Sequence, residues 1–287
     1  MKNAAPADAR RRAGTADLAG REAALYRSLA ELPALIVAYS GGVDSAYLAY
    51  AATRALGSSA LCITADSPSY PQRHRQMAVR VAREFGFQHE IIRTDEMSRP
   101  GYRANPANRC YFCKTELYTH LSAIARERGI PTIVDGSNAD DRGDYRPGRQ
   151  AAREFGVLSP LESAGLTKAE IRELSHRAGL PTWDEPASAC LSSRIPYHDE
   201  VTDEKLRTIE KAESVLRELG FRICRVRHHG DIARLEFGRD EIARAIEPDL
   251  AETIDRELRA LGYSHVTIDL RGYRLGSLND ALRLRPV

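Results

Sequence analysis

The chain has no apolar run long enough to cross a bilayer, so a membrane-spanning role is not expected. Its first twenty residues are rich in Ala and Arg and lack the apolar core of a secretory signal. Neither sign of charge is in excess. The 42 Lys and Arg against 40 Asp and Glu leave a formal charge of +2, too little by itself to argue for a nucleic-acid binder. Cysteine is sparse and odd in number, five in 287 residues. A disulfide framework is therefore not expected in what reads as a cytoplasmic chain, and redox, metal or catalytic roles stay open. No internal repeat or low-complexity segment is evident. What is present is an ordinary globular composition, 43% hydrophobic and 29% charged, at a length that suits one large domain or two smaller ones.

The richest local signal is Ser40-Gly41-Gly42-Val43-Asp44-Ser45, directly after the apolar run Leu35–Tyr39. A β-branched run bounded by Pro33 and a glycine pair predicts a buried strand. The alanine-rich stretch from Ala46 to Leu56, stopped by Gly57, predicts a helix. A strand, a tight Ser/Gly turn and a helix N-terminus make an anion cradle, with Gly41 and Gly42 letting backbone N–H groups approach a phosphate. The Gly-Lys-Ser/Thr ending of the common P-loop is missing, which weakens a kinase or GTPase reading. The loop resembles the pyrophosphate-loop (PP-loop) signature of ATP pyrophosphatases. Asp44 makes sense beside phosphates if Mg²⁺ lies between them. The plainer alternative is a helix capped by Ser40 or Ser45.

Apolar strand-like runs at 35–39, 60–65, 89–94 and 131–135 alternate with helical patterns at 45–56, 71–86, 113–128 and 167–178. That alternation predicts a parallel sheet covered on both faces. Ligands bind at the carboxyl ends of such strands, where Ser40, Asp66 and Asp135-Gly136 would lie. Thr167 with Glu170 forms a capping box. The stretch Pro181–Tyr197 reads as a long loop, which is uncommon without a function. Beyond it come a helix at 203–219, a hairpin around Gly230-Asp231, a helix at 249–261 and a strand at 264–270. The expected division is a disordered tail at 1–20, an α/β nucleotide domain at 21–185 and a smaller α+β domain at 186–287.

Cys190 lies inside the long loop near Arg194, a setting for a reactive thiol, though a small buried hydrophobe would look the same. Cys110 and Cys113 form a single C-x-x-C that suits half a metal site, a redox pair or mere packing. Cys62 and Cys224 fall in apolar strands and read as core. A two-residue turn at Gly230-Asp231 would set Arg225 opposite Glu236 and Arg227 opposite Arg234, with all four on one face. Two arginines facing each other are unfavourable unless an anion lies between them, and arginine forks suit phosphate or carboxylate. Glu213 falls on the apolar face of the helix at 203–219, where a carboxylate needs an arginine or a metal.

Taken together, these residues resemble the ATP-dependent sacrificial sulfur transferases of nickel-pincer cofactor synthesis. The resemblance runs from about residue 30 to the C-terminus. It rests on Ser40–Ser45, on Arg109-Cys110-Tyr111-Phe112-Cys113-Lys114, on Asp135-Gly136-Ser137-Asn138, and on Ala189-Cys190-Leu191-Ser192-Ser193-Arg194. Arg225-Val226-Arg227 and Gly272-Tyr273-Arg274-Leu275-Gly276-Ser277-Leu278-Asn279 complete it. The fold it implies is a PP-loop (adenine nucleotide α-hydrolase-like) parallel-sheet domain with a smaller C-terminal α+β domain. The chemistry it implies is ATP- and Mg²⁺-dependent adenylation of a pyridinium dicarboxylate mononucleotide. Attack by Cys190 follows, then elimination that leaves residue 190 as dehydroalanine, once per protein chain. By the same resemblance Ser40, Gly41, Gly42, Asp44, Ser45, Asp66 and Gly136 would bind ATP, and Arg194, Arg225, Arg227 and Arg271 the substrate. Asp44, Glu213 and Glu236 would hold metal. An iron–sulfur cluster is not expected, because the loop carries a single cysteine. A homo-oligomer is expected, with no nucleic-acid or membrane partner. The alternatives are a PP-loop tRNA thiolation enzyme, an ammonia-dependent synthetase and an ATP-binding regulator without turnover.

Overall fold

The computed structural model describes residues 7–142, 147–186, 189–274 and 276–279. Ala187, Ser188 and Leu275, which belong to motifs quoted above, lie outside them. In chain order the elements are α1 (Ala7–Ala30), β1 (Leu35–Ala38), α2 (Val43–Leu56), β2 (Ala60–Asp66), α3 (Gln72–Glu84), β3 (Gln88–Arg93), α4 (Pro100–Arg103) and α5 (Arg109–Arg128). They continue with β4 (Thr132–Val134), α6 (Pro147–Glu154), α7 (Pro160–Ser163), α8 (Lys168–Arg177), α9 (Asp203–Glu218), β5 (Cys224–His229), β6 (Ile232–Phe237), α10 (Ile242–Ala245), α11 (Pro248–Ala260) and β7 (His265–Ile268).

The chain forms two compact units. The first contains the chain through Asp66, Gln72–Thr94 and Cys113–Glu185; the second contains Ser67–Pro71, Asp95–Phe112 and the chain from Pro186 onward. The second unit is therefore not a contiguous C-terminal block. It recruits two short segments from the stretch that the sequence assigns wholly to the nucleotide domain.

In the first unit, four parallel strands run in the order β3-β2-β1-β4. All four residues of β1 are buried, because it lies between β2 and β4, with Val37 opposite both Cys62 and Val134. A strand flanked on both sides and covered on both faces must be apolar throughout, which is why the run Leu35–Ala38 shows no alternation. Alanines at 46, 49, 51 and 52 on α2 are fully buried and allow close approach to the sheet.

The N-terminal expectation needs correcting. Residues 7–20 are helical, continuous with the rest of α1, and Leu18, Leu25 and Leu29 join the core of the first unit. Arg21 donates to Glu170 (3.0 Å) and to the Gly165 carbonyl (3.1 Å), and the Tyr47 hydroxyl donates to Glu22 (2.7 Å). Within the stretch expected to fray, Leu18 packs in the core and Asp17 is paired with Arg21, while residues 1–6 of the expected tail lie outside the described residues.

The second unit holds a three-stranded sheet in which β6 is central, antiparallel to β5 and parallel to β7. Its core gathers Ala212 and Leu216 of α9, Val226, Leu235 and Phe237 of the sheet, and Ile254 and Leu258 of α11. Arg225 opposes Glu236 and Arg227 opposes Arg234, the register set by the turn at Gly230-Asp231.

Candidate functional sites

The first site is the loop between β1 and α2. Gly42 is the N-cap of α2 with an extended backbone and brings no side-chain cap, so neither Ser40 nor Ser45 takes that role. The Ser45 hydroxyl instead donates to the Gly42 carbonyl (3.1 Å) and lies 3.0 Å from the Ser40 hydroxyl, bracing the loop across its mouth. A helix start without a side-chain cap offers its N–H groups and positive dipole end to an anion. Two glycines are demanded by space. Gly41 has φ +66°, and a Cβ on it would lie 2.8 Å from the Ala78 Cβ. A Cβ on Gly136 would lie 2.9 Å from the Ser45 backbone nitrogen. The turn after β4 thus packs directly on the start of α2.

Asp44 projects from the first turn of α2 and is ion-paired with Lys168, and the Asn138 amide lies 3.4 Å from its other oxygen. Lys168 opens α8, and no spacing in the sequence links it to the loop 124 residues earlier. Asp135 is buried and accepts from Ser159 (2.8 Å), Tyr118 (3.1 Å) and the Ser137 N–H (3.1 Å), so it shapes the β4 turn. Asp66 stands at the end of β2 and is paired with Arg75 at 2.8 Å. Burial pushes the Tyr118 phenol up to about 12, while its neighbour Lys114 is held firmly protonated, first by Tyr118 and then by Asp135. Asp44 would hold Mg²⁺ only by exchanging its Lys168 partner for the ion, and one carboxylate at a phosphate-binding turn is the sparse protein ligation this ion uses when phosphates supply the rest.

The second site surrounds Cys190, which begins the short turn Leu191–Arg194. Arg194 is buried. It donates to the carbonyls of Ala189 (2.8 Å) and Cys190 (3.0 Å) and forks onto Glu213 at 2.7 and 3.1 Å. Glu213 is completely buried and also accepts from Arg217 (2.7 Å) and the Val226 N–H (3.3 Å). Burial pushes its carboxyl up, but the charge of Arg194 overcomes this and holds it down to about 2.

Glu236, also fully buried, lies between the two facing arginines, 2.7 Å from Arg227 and 3.3 Å from Arg234. Arg234 is further paired with Asp269. The anion that the Arg227–Arg234 pair requires is thus partly built in. Both glutamates meet their need for a partner with arginine. Their oxygens face guanidinium groups and leave poor ligands for a cation, so the metal expectation for Glu213 and Glu236 does not fit this arrangement.

Arg225 is buried, donates to the Cys224 carbonyl (2.7 Å) and lies 5.0 Å over the Tyr273 ring. Burial, and then the like charge of Arg194, lowers its affinity for its proton, a cluster rich in positive charge. Arg227 reaches the Ser193 carbonyl at 2.8 Å, next to the Cys190 turn. Arg194, Arg225 and Arg227 therefore belong to one cluster, whereas Arg271 is exposed in the turn beyond β7. Cys62 and Cys224 are buried, and burial pushes their thiols up to about 12 and about 11. None of the five cysteines is in a disulfide. Cys110 and Cys113 lie in the first turn of α5.

Sequence reasoning missed the clamp on the Cys190 turn from the recruited segment. Arg109 donates to the Ser192 carbonyl of the turn, Asn105 donates to carbonyls just beyond it, and the Tyr102 hydroxyl lies 2.6 Å from that of Ser192. The Leu191 N–H also donates to the Ser69 carbonyl at 2.9 Å. The one local sign was Asn105 itself, a residue that tolerates the left-handed backbone it adopts (φ 51°).

No protein-family profile matches the chain. It is 43% identical over 258 residues, 90% of its length and 96% of the relative's, to an uncharacterised protein of Synechocystis sp.. It is 34% identical over 268 residues, 93% of its length and 96% of the relative's, to the pyridinium-3,5-bisthiocarboxylic acid mononucleotide synthase of Lactiplantibacillus plantarum. A more distant likeness, 26% over 208 residues, covers 64% of the chain and 39% of a glutamine-hydrolysing GMP synthase of Geobacillus kaustophilus.

Proposed function

The chain belongs to the family of pyridinium-3,5-bisthiocarboxylic acid mononucleotide synthases, and on that footing we propose that it inserts sulfur by sacrificing the thiol of Cys190. The observation that carries this reading is the thiol's setting. Cys190 starts a turn fastened on one side by Arg194 and on the other by Arg109, inside a cluster rich in arginine.

The loop Ser40–Ser45 binds the phosphates of ATP on the backbone of the α2 N-terminus. Mg²⁺ held at Asp44 would neutralise phosphate charge as pyrophosphate leaves. A substrate carboxylate oxygen attacks the α-phosphorus and becomes an acyl adenylate. The Cys190 thiolate attacks that acyl carbon. A C–S bond forms, the C–O bond to AMP breaks, and a thioester joins substrate and protein. A base then takes the α-proton of residue 190, the Cβ–S bond breaks, and the electron pair leaves with sulfur as the thiocarboxylate. Residue 190 remains as dehydroalanine. Arg225 and Arg227 supply the positive charge that holds the mononucleotide phosphate, Arg227 from a guanidinium already fixed on Ser193 and Glu236. Two chains are needed to convert both carboxylates. A cytoplasmic homo-oligomer with ATP as co-substrate and no nucleic-acid partner completes the proposal.

Intact mass before and after incubation with ATP, Mg²⁺ and the dicarboxylate mononucleotide tests this. The expected result is a loss of about 34 Da, one H₂S, mapped to Cys190, as thiolate-to-alkene chemistry requires. Product formed at unchanged protein mass would overturn the sacrificial mechanism.

A further inference from the structure

We propose that Arg109 is a catalytic residue of the same reaction: its guanidinium is the fixed counter-charge for the Cys190 sulfur. The inference rests on the sacrificial reading above and adds to it a group for which neither spacing nor resemblance gave a role.

Arg109 opens α5 and is almost fully buried. One terminal nitrogen, Nη1, is committed twice, to the Asn105 side-chain oxygen and to the Ser192 carbonyl at 3.0 Å. The other, Nη2, is aimed at the Cys190 sulfur, 4.0 Å away. The support behind it is rigid. Asn105 is fully buried and spends its amide nitrogen on the carbonyls of Ile195 (3.3 Å), Pro196 (2.6 Å) and Asp199 (3.0 Å). Its side-chain oxygen is left to hold Arg109.

Among the described residues no carboxylate pairs with Arg109. A buried cation without a carboxylate is costly unless another anion answers it. Burial works against its charge; Cys190 is the largest influence in the opposite direction, and the guanidinium's hold on its proton is raised on balance. Arg194, by contrast, is satisfied by Glu213 and grips the backbone of Cys190 through its carbonyl. The two arginines thus divide the work: one fixes the chain, the other faces the sulfur.

The chemistry gives a fixed cation at this point two uses. The sulfur is anionic when it attacks the adenylate and neutral in the thioester. It becomes anionic again as the thiocarboxylate leaves on cleavage of the Cβ–S bond. A preorganised donor aimed where charge develops accelerates such steps without reorganising at the moment of reaction. Arg109 gives up no proton in either step.

The test follows single turnover by intact mass and pyrophosphate release for the full chain, its Arg109→Met and Arg109→Ala variants, and Arg109→Lys. The wild-type mass loss at Cys190 must be seen first; its absence would sink the sacrificial reading rather than this one. Given that loss, Arg109→Met is expected to retain pyrophosphate release while conversion of Cys190 slows by about 10²-fold or more, the scale of removing one oriented donor. Thioester adduct should accumulate, because elimination slows as well. Added guanidinium ion should restore part of the rate in Arg109→Ala, which repair of a merely structural defect would not produce. Arg109→Lys keeps a charge but cannot span Asn105, Ser192 and the sulfur, and is expected to be slowed about tenfold. It also serves if the other two variants fail to fold. Wild-type conversion in Arg109→Met or Arg109→Lys, or loss in a folded Arg109→Ala that guanidinium does not relieve, would overturn the assignment.

Discussion

Glu213 and Gly41 show how single residues decide each site. Replacing Glu213 by Gln leaves Arg194 buried beside an uncharged amide, and stability should fall by about 3 kcal/mol, the lower range for breaking a buried pair. Urea unfolding measures it. Exchanging both partners, Arg194→Met with Glu213→Leu, should recover most of that stability and still abolish sulfur transfer. The pair would then be retained for the geometry of the Cys190 turn. The pH dependence has a definite sign. The Glu213 carboxyl is lowered from 4.5 to about 2, so its contribution is complete above pH 4.5 and disappears as pH falls toward 2. The stability gap between wild type and Glu213→Gln should therefore close on acidification through that window. A gap that widened would mean Glu213 is protonated in the folded protein. Gly41→Ala combines a left-handed backbone with a Cβ 2.8 Å from Ala78. Relieving both should pull the loop from its place and weaken ATP about tenfold, which is the cost of roughly 1.4 kcal/mol of strain. Calorimetric titration with a non-hydrolysable analogue checks it.

At the scale of elements, the parallel sheet and α2 were legible because burial on both faces leaves an unbroken apolar run, as in Leu35–Ala38. The hairpin was legible to the residue, since a two-residue turn at Gly230-Asp231 admits one pairing. What filled the space between Arg227 and Arg234 was not legible: Glu236 is on the same strand and face, but only packing shows its carboxylate reaching both guanidinium groups. The helix α1 was misjudged for a similar reason. Its buried positions Leu18, Leu25 and Leu29 are diluted by Arg and Ala, and the stripe is visible only once the core they face is known. Leu18→Ala, within the stretch expected to be a tail, should accordingly cost about 2–5 kcal/mol, as for a buried leucine. A change within about 0.5 kcal/mol, the range of ordinary surface substitutions, would restore the tail reading.

At the scale of the molecule, the chain leaves the first unit twice before its final crossing at Glu185, and both excursions serve the Cys190 turn. Ser69, Tyr102, Asn105 and Arg109 all come from segments that precede the turn by some eighty residues or more in sequence. No local pattern announces such a clamp, because each contact is a lone polar residue whose partner is distant. A fragment beginning at Pro186 would keep the apolar core built on Phe221, Leu235, Phe237 and Leu258. It would lose the clamp and retain the Arg194–Glu213 anchor and the Arg227 contact with the Ser193 carbonyl. Hydrogen exchange should then show β5 and β6 protected as in the full chain, while residues 189–199 exchange freely. Equal protection of the turn in fragment and full chain would mean that Arg194, Glu213 and Arg227 suffice to hold Cys190, leaving Arg109 only its charge to contribute. Loss of protection throughout the fragment would mean that the recruited segments help form the second core itself. Their insertion into the first half of the sequence would then be a requirement of folding as well as of placing the thiol.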